Sequence, residues 1–202
     1  MKKSNLNVEY WFPTPIWNYN LETINRTQYE EAIEYCNELK RNSPGRKVSN
    51  YGGWQSNDLL RDVLSTPLAP FLKEIRPLFA DLLASIGSSV AVEYVNVWVN
   101  INKKGDKNTM HTHPSTSFAG VFYLTDNNSE IVFERECGIA LWWQACLASK
   151  NDTLSTFKQV IYEPKRGNVL IFPPWLQHAV RDNEQDDDRI SIAFNISTYN
   201  AT

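Results

Sequence analysis

Histidine is scarce in this chain, with 3 in 202 residues. Any chemistry that needs an imidazole must therefore come from His111, His113 and His178. Cysteine is equally scarce. The 3 present, Cys36, Cys137 and Cys146, are odd in number and irregularly spaced, which argues against a disulfide framework and suits a reducing compartment. There is no run of about 18 apolar residues, so a transmembrane helix is not expected. The opening MKKSNLNVEYWF carries lysines with no long apolar stretch behind them, so a secretory signal is not expected either. The net charge is only −3. The one modest basic group, Lys103, Lys104 and Lys107, advertises no broad nucleic-acid footprint, although a few lysines can suffice for a local contact. These absences together lead us to expect a soluble, cytoplasmic protein with no membrane partner.

Large side chains are plentiful, by contrast. The chain has 7 Trp, 9 Tyr and 9 Phe, and 42% of its residues are hydrophobic, enough for a sizeable core. Its length suits one domain over residues 1–202, with supporting elements over 1–87 and a core over 88–202. Residues 8–21 are aromatic and broken by Pro13 and Pro15, which predicts an edge strand or extended arm. From Arg26 to Lys40, Tyr29, Ile33, Cys36 and Leu39 recur at helical spacing. Asn25 or Thr27 is available as a cap, and Ser43-Pro44-Gly45 as a stop. Residues 41–57 read as a loop. Residues 58–86 read as two helices or one kinked helix, because Pro70 and Pro77 interrupt them and Gly87 ends them.

Past Gly87 the period drops to two. VAVEYVNVWVNIN (90–102) predicts a long strand, and shorter ones follow at 109–113, 118–125, 130–135, 159–164, 168–174 and 189–197, separated by turn signals. Residues 137–158, with Trp142 and Trp143, read as an inserted loop or lid, and these tryptophans with Trp175 are candidates for a wall over a site or for plain core aromatics. The fold class expected is α+β, mainly β, with N-terminal helices packed on one sheet of a sandwich, jelly roll or barrel.

Two of the three histidines form His111-Thr112-His113. On a strand, residues two apart share a face, so both imidazoles can reach one point. His178 falls at the end of the run NVLIFPPWLQH, on a later strand that can return beside them. Such a set can bind a first-row metal and leave positions open. Arg189 follows, sharing a strand face with Ser191. A guanidinium inside a barrel needs an anion, and its planar fork matches a carboxylate. The plainer alternative is an Arg189 that faces solvent and pairs with Asp186, Asp187 or Asp188.

The runs Trp98-Val-Asn100-Ile, His111-Thr-His113-Pro114, Ser117-Phe-Ala-Gly120-Val121-Phe-Tyr123, Gly167-Asn-Val-Leu-Ile-Phe172-Pro173 and Arg189-Ile-Ser191-Ile-Ala-Phe194-Asn195 together resemble the 2-oxoglutarate/Fe(II)-dependent oxygenases. Phe12-Pro-Thr-Pro15 and Gly52-Gly-Trp54 resemble that family's N-terminal signatures, so the resemblance covers nearly the whole chain. It implies a double-stranded β-helix (jelly roll), an Fe(II) centre, and 2-oxoglutarate and O2 as co-substrates. His111, His113 and His178 would bind the metal. Arg189 would anchor the distal carboxylate with Ser191 assisting, and Tyr123 and Asn100 would support them. No catalytic residue beyond the metal centre is implied. Enzymes of this fold often dimerise, and the aromatic arm is a candidate contact.

One departure stands out. The superfamily's usual set is two histidines and a carboxylate, and here His113 takes the acidic place. Three neutral imidazoles leave the site one negative charge short; alternatively, only one of His111 and His113 ligates and the other supports it. Two rival functions follow. One is a three-histidine cupin-type dioxygenase that does not use 2-oxoglutarate. The other is a non-catalytic jelly-roll binding module with no metal or a structural zinc.

Overall fold

The computed structural model describes residues 13–135, 146 and 157–199. Residues 8–12 of the expected arm and nearly all of the 137–158 insertion, with Cys137, Trp142 and Trp143, lie outside the described residues.

Helix α1 spans Arg26–Asn42. Of the two caps on offer, Asn25 is used: its side chain accepts from the Gln28 amide, and the Gln28 side chain accepts from the Asn25 amide, both at 3.0 Å. This reciprocal pair satisfies two N–H groups that the first turn cannot. The interrupted stretch resolves into a 3₁₀ turn, Val63–Ser65, and two short helices, α2 (Ala69–Ile75) and α3 (Leu78–Ser85). Pro70 is tolerated at the start of α2, and Pro77 is the residue that caps α3.

Eleven strands follow the chain: β1 (Trp17–Asn20), β2 (Asn50–Tyr51), β3 (Trp54–Gln55), β4 (Ala91–Asn102), β5 (Lys107–His111), β6 (Phe118–Tyr123), β7 (Ile131–Glu134), β8 (Gln159–Tyr162), β9 (Asn168–Phe172), β10 (His178–Val180) and β11 (Arg189–Tyr199). They form a six-stranded sheet, β1-β9-β6-β11-β4-β3, and a five-stranded sheet, β2-β5-β10-β7-β8. The protein is mostly β, with two sheets and few helices.

Three details differ from the sequence reading. The 41–57 loop contains β2 and β3, which join different sheets through a turn at Gly52, where φ is +83°. Two-residue strands are too short to show alternation. The strand carrying the histidine pair ends at His111, leaving His113 beyond the ladder. His178 does not finish the strand that begins at Asn168. That strand stops at Phe172, before Pro173-Pro174, and His178 opens β10. Proline cannot donate to a ladder, so the break belongs there.

The central strands β4, β11, β6 and β9 are covered on both sides. One face packs against the helices: Val97, Val99, Ile101, Phe122, Val169, Ile171, Ile190, Ile192 and Phe194 meet Tyr29, Cys36, Phe71, Leu72, Ile75 and Phe79 in one apolar cluster. The Phe194 ring lies where a side chain at Gly120 would stand, so this contact requires glycine. The other face looks toward the second sheet. There Val121, Tyr123, Leu170 and Phe172 meet Phe133 of β7 in a smaller apolar cluster, and beside it lies a row of polar residues. Near its start, β4 carries a bulge: Asn195 pairs with Asn96 and Ile196 with Tyr94, leaving Val95 without an opposite.

Candidate metal centre

Strands β5 and β10 are neighbours, and their register sets His111 directly opposite His178. Opposed side chains on an antiparallel pair share a face, and these two rings lie 4.3 Å apart between centroids. His113 arrives differently. Its amide donates to the Pro174 carbonyl at 2.8 Å, and its ring stacks on Trp98 with centroids 5.8 Å apart at 24°. The Nε2 atoms of His113 and His178 are 3.2 Å apart, and one nitrogen from each histidine falls within 4.8 Å of the others.

Which nitrogen faces inward follows from the hydrogen bonds. His111 Nδ1 lies 2.7 Å from the Thr109 carbonyl, and His178 Nδ1 lies 2.8 Å from the Leu176 carbonyl. A carbonyl only accepts, so both Nδ1 atoms hold the proton and both Nε2 lone pairs are free. Asn195 stands on the same cavity wall as His113, with its Oδ1 buried and without a hydrogen-bond partner. Burial pushes all three imidazoles below the usual histidine range. His113 falls to about 4, with His111 adding to the effect and Asn195 opposing it. His178 falls to about 3, with His111 and His113 adding and the Leu176 carbonyl opposing. For His111 burial also dominates, against the Thr109 carbonyl. All three are therefore neutral at pH 7, which is the metal-binding form. Two nitrogens bound to one first-row ion at about 2.1 Å stand roughly 3.0–3.4 Å apart. The His113–His178 separation fits that requirement.

The histidines open onto a cavity of about 300 Å³, also lined by Asn100, Arg189 and Ser191. This is the low end of the range for small-molecule sites. Arg189 is 1% exposed. Its Nε donates to the Ser129 carbonyl at 3.2 Å and its Nη1 to Ser191 Oγ at 3.1 Å, while Nη2 finds no well-placed acceptor. Its Cζ sits 5.1 Å over the Tyr123 ring. No carboxylate lies within ion-pair distance of it among the described residues. The solvent-facing alternative does not hold: Asp186 pairs with Lys104 and Asp188 with Lys40. Burial lowers the affinity of Arg189 for its proton, with Tyr123 opposing. A buried guanidinium with a free edge is a costly arrangement that an anionic ligand would relieve. Asn100 Oδ1 is likewise buried without a partner. Tyr123 lies under the guanidinium, fully buried, and does not line the cavity.

Several contributors were not singled out from sequence. Trp98, Asn195, Asn96 and Asp58 line the cavity as well. Asn195 shares the odd-numbered face of β11 with Arg189 and Ser191, so extending the same alternation finds it. Asp58 lies in the irregular segment after β3, where no periodicity points to it. Trp175 is 52% exposed, in the turn just before His178. No helix among the described residues is long and apolar enough to cross a membrane.

Comparison with known proteins accords with this geometry. Residues 96–195, which hold all three histidines, Arg189 and Ser191, match the family described as "Putative 2OG-Fe(II) oxygenase". No curated protein matches the chain. Among solved structures, a prolyl-4-hydroxylase of Pseudomonas putida aligns over 94% of each chain at TM-score 0.61 and 9% identity. HygX of Streptomyces hygroscopicus, solved with nickel and 2-oxoglutarate bound, aligns over 91% of this chain and 83% of its own at TM-score 0.58 and 15% identity. An oxidoreductase of the 2OG-Fe(II) oxygenase family from Burkholderia pseudomallei aligns over 63% of this chain and 53% of its own, at TM-score 0.47 and 18% identity. The chain thus spans about half the length of that relative.

Proposed function

We propose, from the 2OG-Fe(II) oxygenase match of residues 96–195, that this protein is an Fe(II)- and 2-oxoglutarate-dependent oxygenase that hydroxylates an unactivated C–H bond. The observation that carries the reading is Arg189, a buried guanidinium with an unpaired edge, in the same cavity as three convergent neutral imidazoles. The strand order supports a double-stranded β-helix core, with β4-β11-β6-β9 facing β5-β10-β7-β8 and the site between them.

His111, His113 and His178 would hold Fe(II) through their Nε2 atoms. Arg189 and Ser191 would bind the distal carboxylate of 2-oxoglutarate, the guanidinium Nη2 supplying a charge-assisted bond. When bound, the iron couples O2 and 2-oxoglutarate to substrate oxidation, giving succinate, CO2 and the hydroxylated product. The chain's own residues do the rest. Thr109 and Leu176 fix two imidazole tautomers, and Tyr123 holds the guanidinium from below. Phe133 and Phe172 pack against His178 and exclude water from it. A protein side chain is the substrate class we favour, by analogy with the prolyl-4-hydroxylase fold. A cytoplasmic setting belongs to the same reading, since Cys36 is buried and free.

The test is anaerobic Fe(II) loading followed by O2-dependent release of succinate from 2-oxoglutarate. Stoichiometric metal and succinate release that vanishes in His178→Ala are expected. Metal binding with oxygen consumption independent of 2-oxoglutarate would transfer the protein to the three-histidine dioxygenases. A protein that takes up no stoichiometric metal would be a binding module.

A further inference from the structure

Strands β4 and β11 present side chains to the cavity in paired rungs. Arg189 stands opposite Asn102, Ser191 opposite Asn100, Ala193 opposite Trp98 and Asn195 opposite Asn96. All of these except Asn102 line the cavity. From Arg189 to Asn195 the strand rises about 20 Å, at about 3.4 Å per residue. His113 stacks on Trp98, so the histidines stand over the third rung. Arg189 and Ser191, on the first two, form the end assigned above to the distal carboxylate of 2-oxoglutarate. The fourth rung lies beyond the histidines, and the co-substrate leaves it free.

The chemistry of that rung is one-sided. Asn195 Nδ2 donates to Asn96 Oδ1 at 3.3 Å, and Asn96 Nδ2 donates to Asp58 Oδ2 at 2.7 Å. Asp58 Oδ1 accepts from the Val97 and Leu60 amides, each at 3.0 Å, which fixes the carboxylate in place. An ionised carboxylate only accepts, and this orients both amides. Each amide nitrogen is engaged within the row, and the atom left over, Asn195 Oδ1, is an acceptor. Asn195 is 8% exposed, and that oxygen has no partner. Asp58 is exposed at the entrance and supplies the one carboxylate that lines the cavity among the described residues. Arg46 also lines the entrance, but it is exposed and makes no ion pair among the described residues. A wall of oriented acceptors with a fixed negative charge is complementary to a donor that carries positive charge.

We infer that Asp58 and Asn195 form the recognition site for a cationic nitrogen of the primary substrate, an ammonium or guanidinium at the end of a flexible chain. The inference rests on the oxygenase reading above and deepens it, by narrowing the side chain to a lysine-like or arginine-like one. A prolyl residue has no N–H to give this wall, and an acidic side chain would meet Asp58 at like charge. With its nitrogen held at the fourth rung, the chain of the substrate passes Trp98 and brings its C–H bonds beside the histidines. The nitrogen keeps its protons. One atom of O2 enters a C–H bond as hydroxyl, and the other enters succinate as 2-oxoglutarate loses CO2.

Zinc has no redox chemistry, so protein loaded with Zn(II) and 2-oxoglutarate can hold a probe without turnover. The probes are the Nα-acetyl amides of lysine, arginine, norleucine, glutamate and proline. Binding is followed through the side-chain ¹H–¹⁵N signals of Asn96, Trp98 and Asn195. The lysine and arginine probes should bind saturably and shift these signals. Norleucine, which keeps the chain of lysine without its nitrogen, should bind about 10-fold more weakly or worse. Asp58→Asn should cost the cationic probes about 10-fold, with unchanged circular dichroism and Zn(II) stoichiometry. Arg46→Ala, which removes a like charge from the entrance, should tighten them about 2–5-fold, a gain that misfolding cannot mimic. Free lysine or arginine binding more tightly than its capped amide would assign the nitrogen to a free amino acid; the reverse order assigns it to a protein side chain. Glutamate, proline or norleucine binding as well as lysine overturns the inference. So does a preference that survives Asp58→Asn or weakens in Arg46→Ala. Protein that takes up Zn(II) and 2-oxoglutarate without this preference loses the inference alone. Protein that takes up no metal loses the oxygenase reading, and the same probes on metal-free protein still decide the chemistry of the wall.

Discussion

The two faces of the central sheet are built from the same four strands and have opposite characters. On the helix side, Val97, Val99, Ile101, Ile190, Ile192 and Phe194 meet only apolar neighbours. On the cavity side, their alternates Asn100, Arg189 and Asn195 leave side-chain nitrogens and oxygens without partners. The first face is complete in itself and stabilises the protein by apolar burial. The second is incomplete, and a buried polar surface that the protein does not satisfy is a surface shaped for something else. Stability and function are thus divided between odd and even positions of single strands.

That division can be tested by substitution on either side. The largest effect is expected at the centre. His178→Ala should abolish stoichiometric Ni(II) binding and reduce 2-oxoglutarate-dependent succinate release to background, while the far-ultraviolet dichroism stays as it was. Next is Phe194→Ala on the helix face. It should lower unfolding free energy by about 3–5 kcal/mol in urea, leaving metal stoichiometry of the folded fraction unaltered. Arg189→Met should show the reverse. It removes a buried charge that lacks an anion, so the ligand-free protein should be as stable or more so by on the order of 1 kcal/mol. Half-saturation by 2-oxoglutarate should rise about 10–100-fold, since the charge-assisted bond from Nη2 is lost. An Arg189→Met protein as damaged as Phe194→Ala would erase the distinction between the faces.

The smallest effect is a pH slope. In metal-free protein, His113 and His178 protonate at about 4 and about 3, well below the histidine value of 6.5 for the unfolded chain. As pH falls below about 6.5, the unfolded state takes up protons that the folded state refuses, so stability declines toward pH 4 and is fully retained above 6.5. The slope for a single histidine approaches about 1.4 kcal/mol per pH unit. His178→Gln should flatten the curve measured by urea titration. A curve that is already flat would mean that the imidazoles are solvated.

Much of this was legible in the residues. The switch of period after Gly87 marked where helices give way to strands, and every expected strand of the core is present with ends shifted by a residue or a few. The histidine pair and the Arg189/Ser191 pair stood out because so few residues of their type compete with them. What could not be read was tertiary in origin. His113 is placed by Pro174 and Trp98, from other segments, and not by strand alternation. The chain break between Phe172 and His178 is signalled only by two prolines, and β2 and β3 are too short to carry a pattern. Asp58 reaches the cavity wall by accepting from Asn96, 38 positions away, a distance that no local window spans.

The unmatched Val95 on β4 has a consequence for how this protein can vary. Before it, Tyr94 points to the helices and donates to the Leu72 carbonyl at 3.0 Å; after it, Asn96 points to the cavity. Two positions of equal parity thus serve opposite sides of one strand. Deleting Val95 would remove the extra residue and leave Tyr94 opposite Ile196 and Asn96 opposite Asn195 in plain alternation, so that each side chain keeps its side. Loss of one residue at the bulge is therefore silent for the two faces, whereas loss of one between Asn96 and Asn102 would turn helix-facing side chains of β4 toward the cavity.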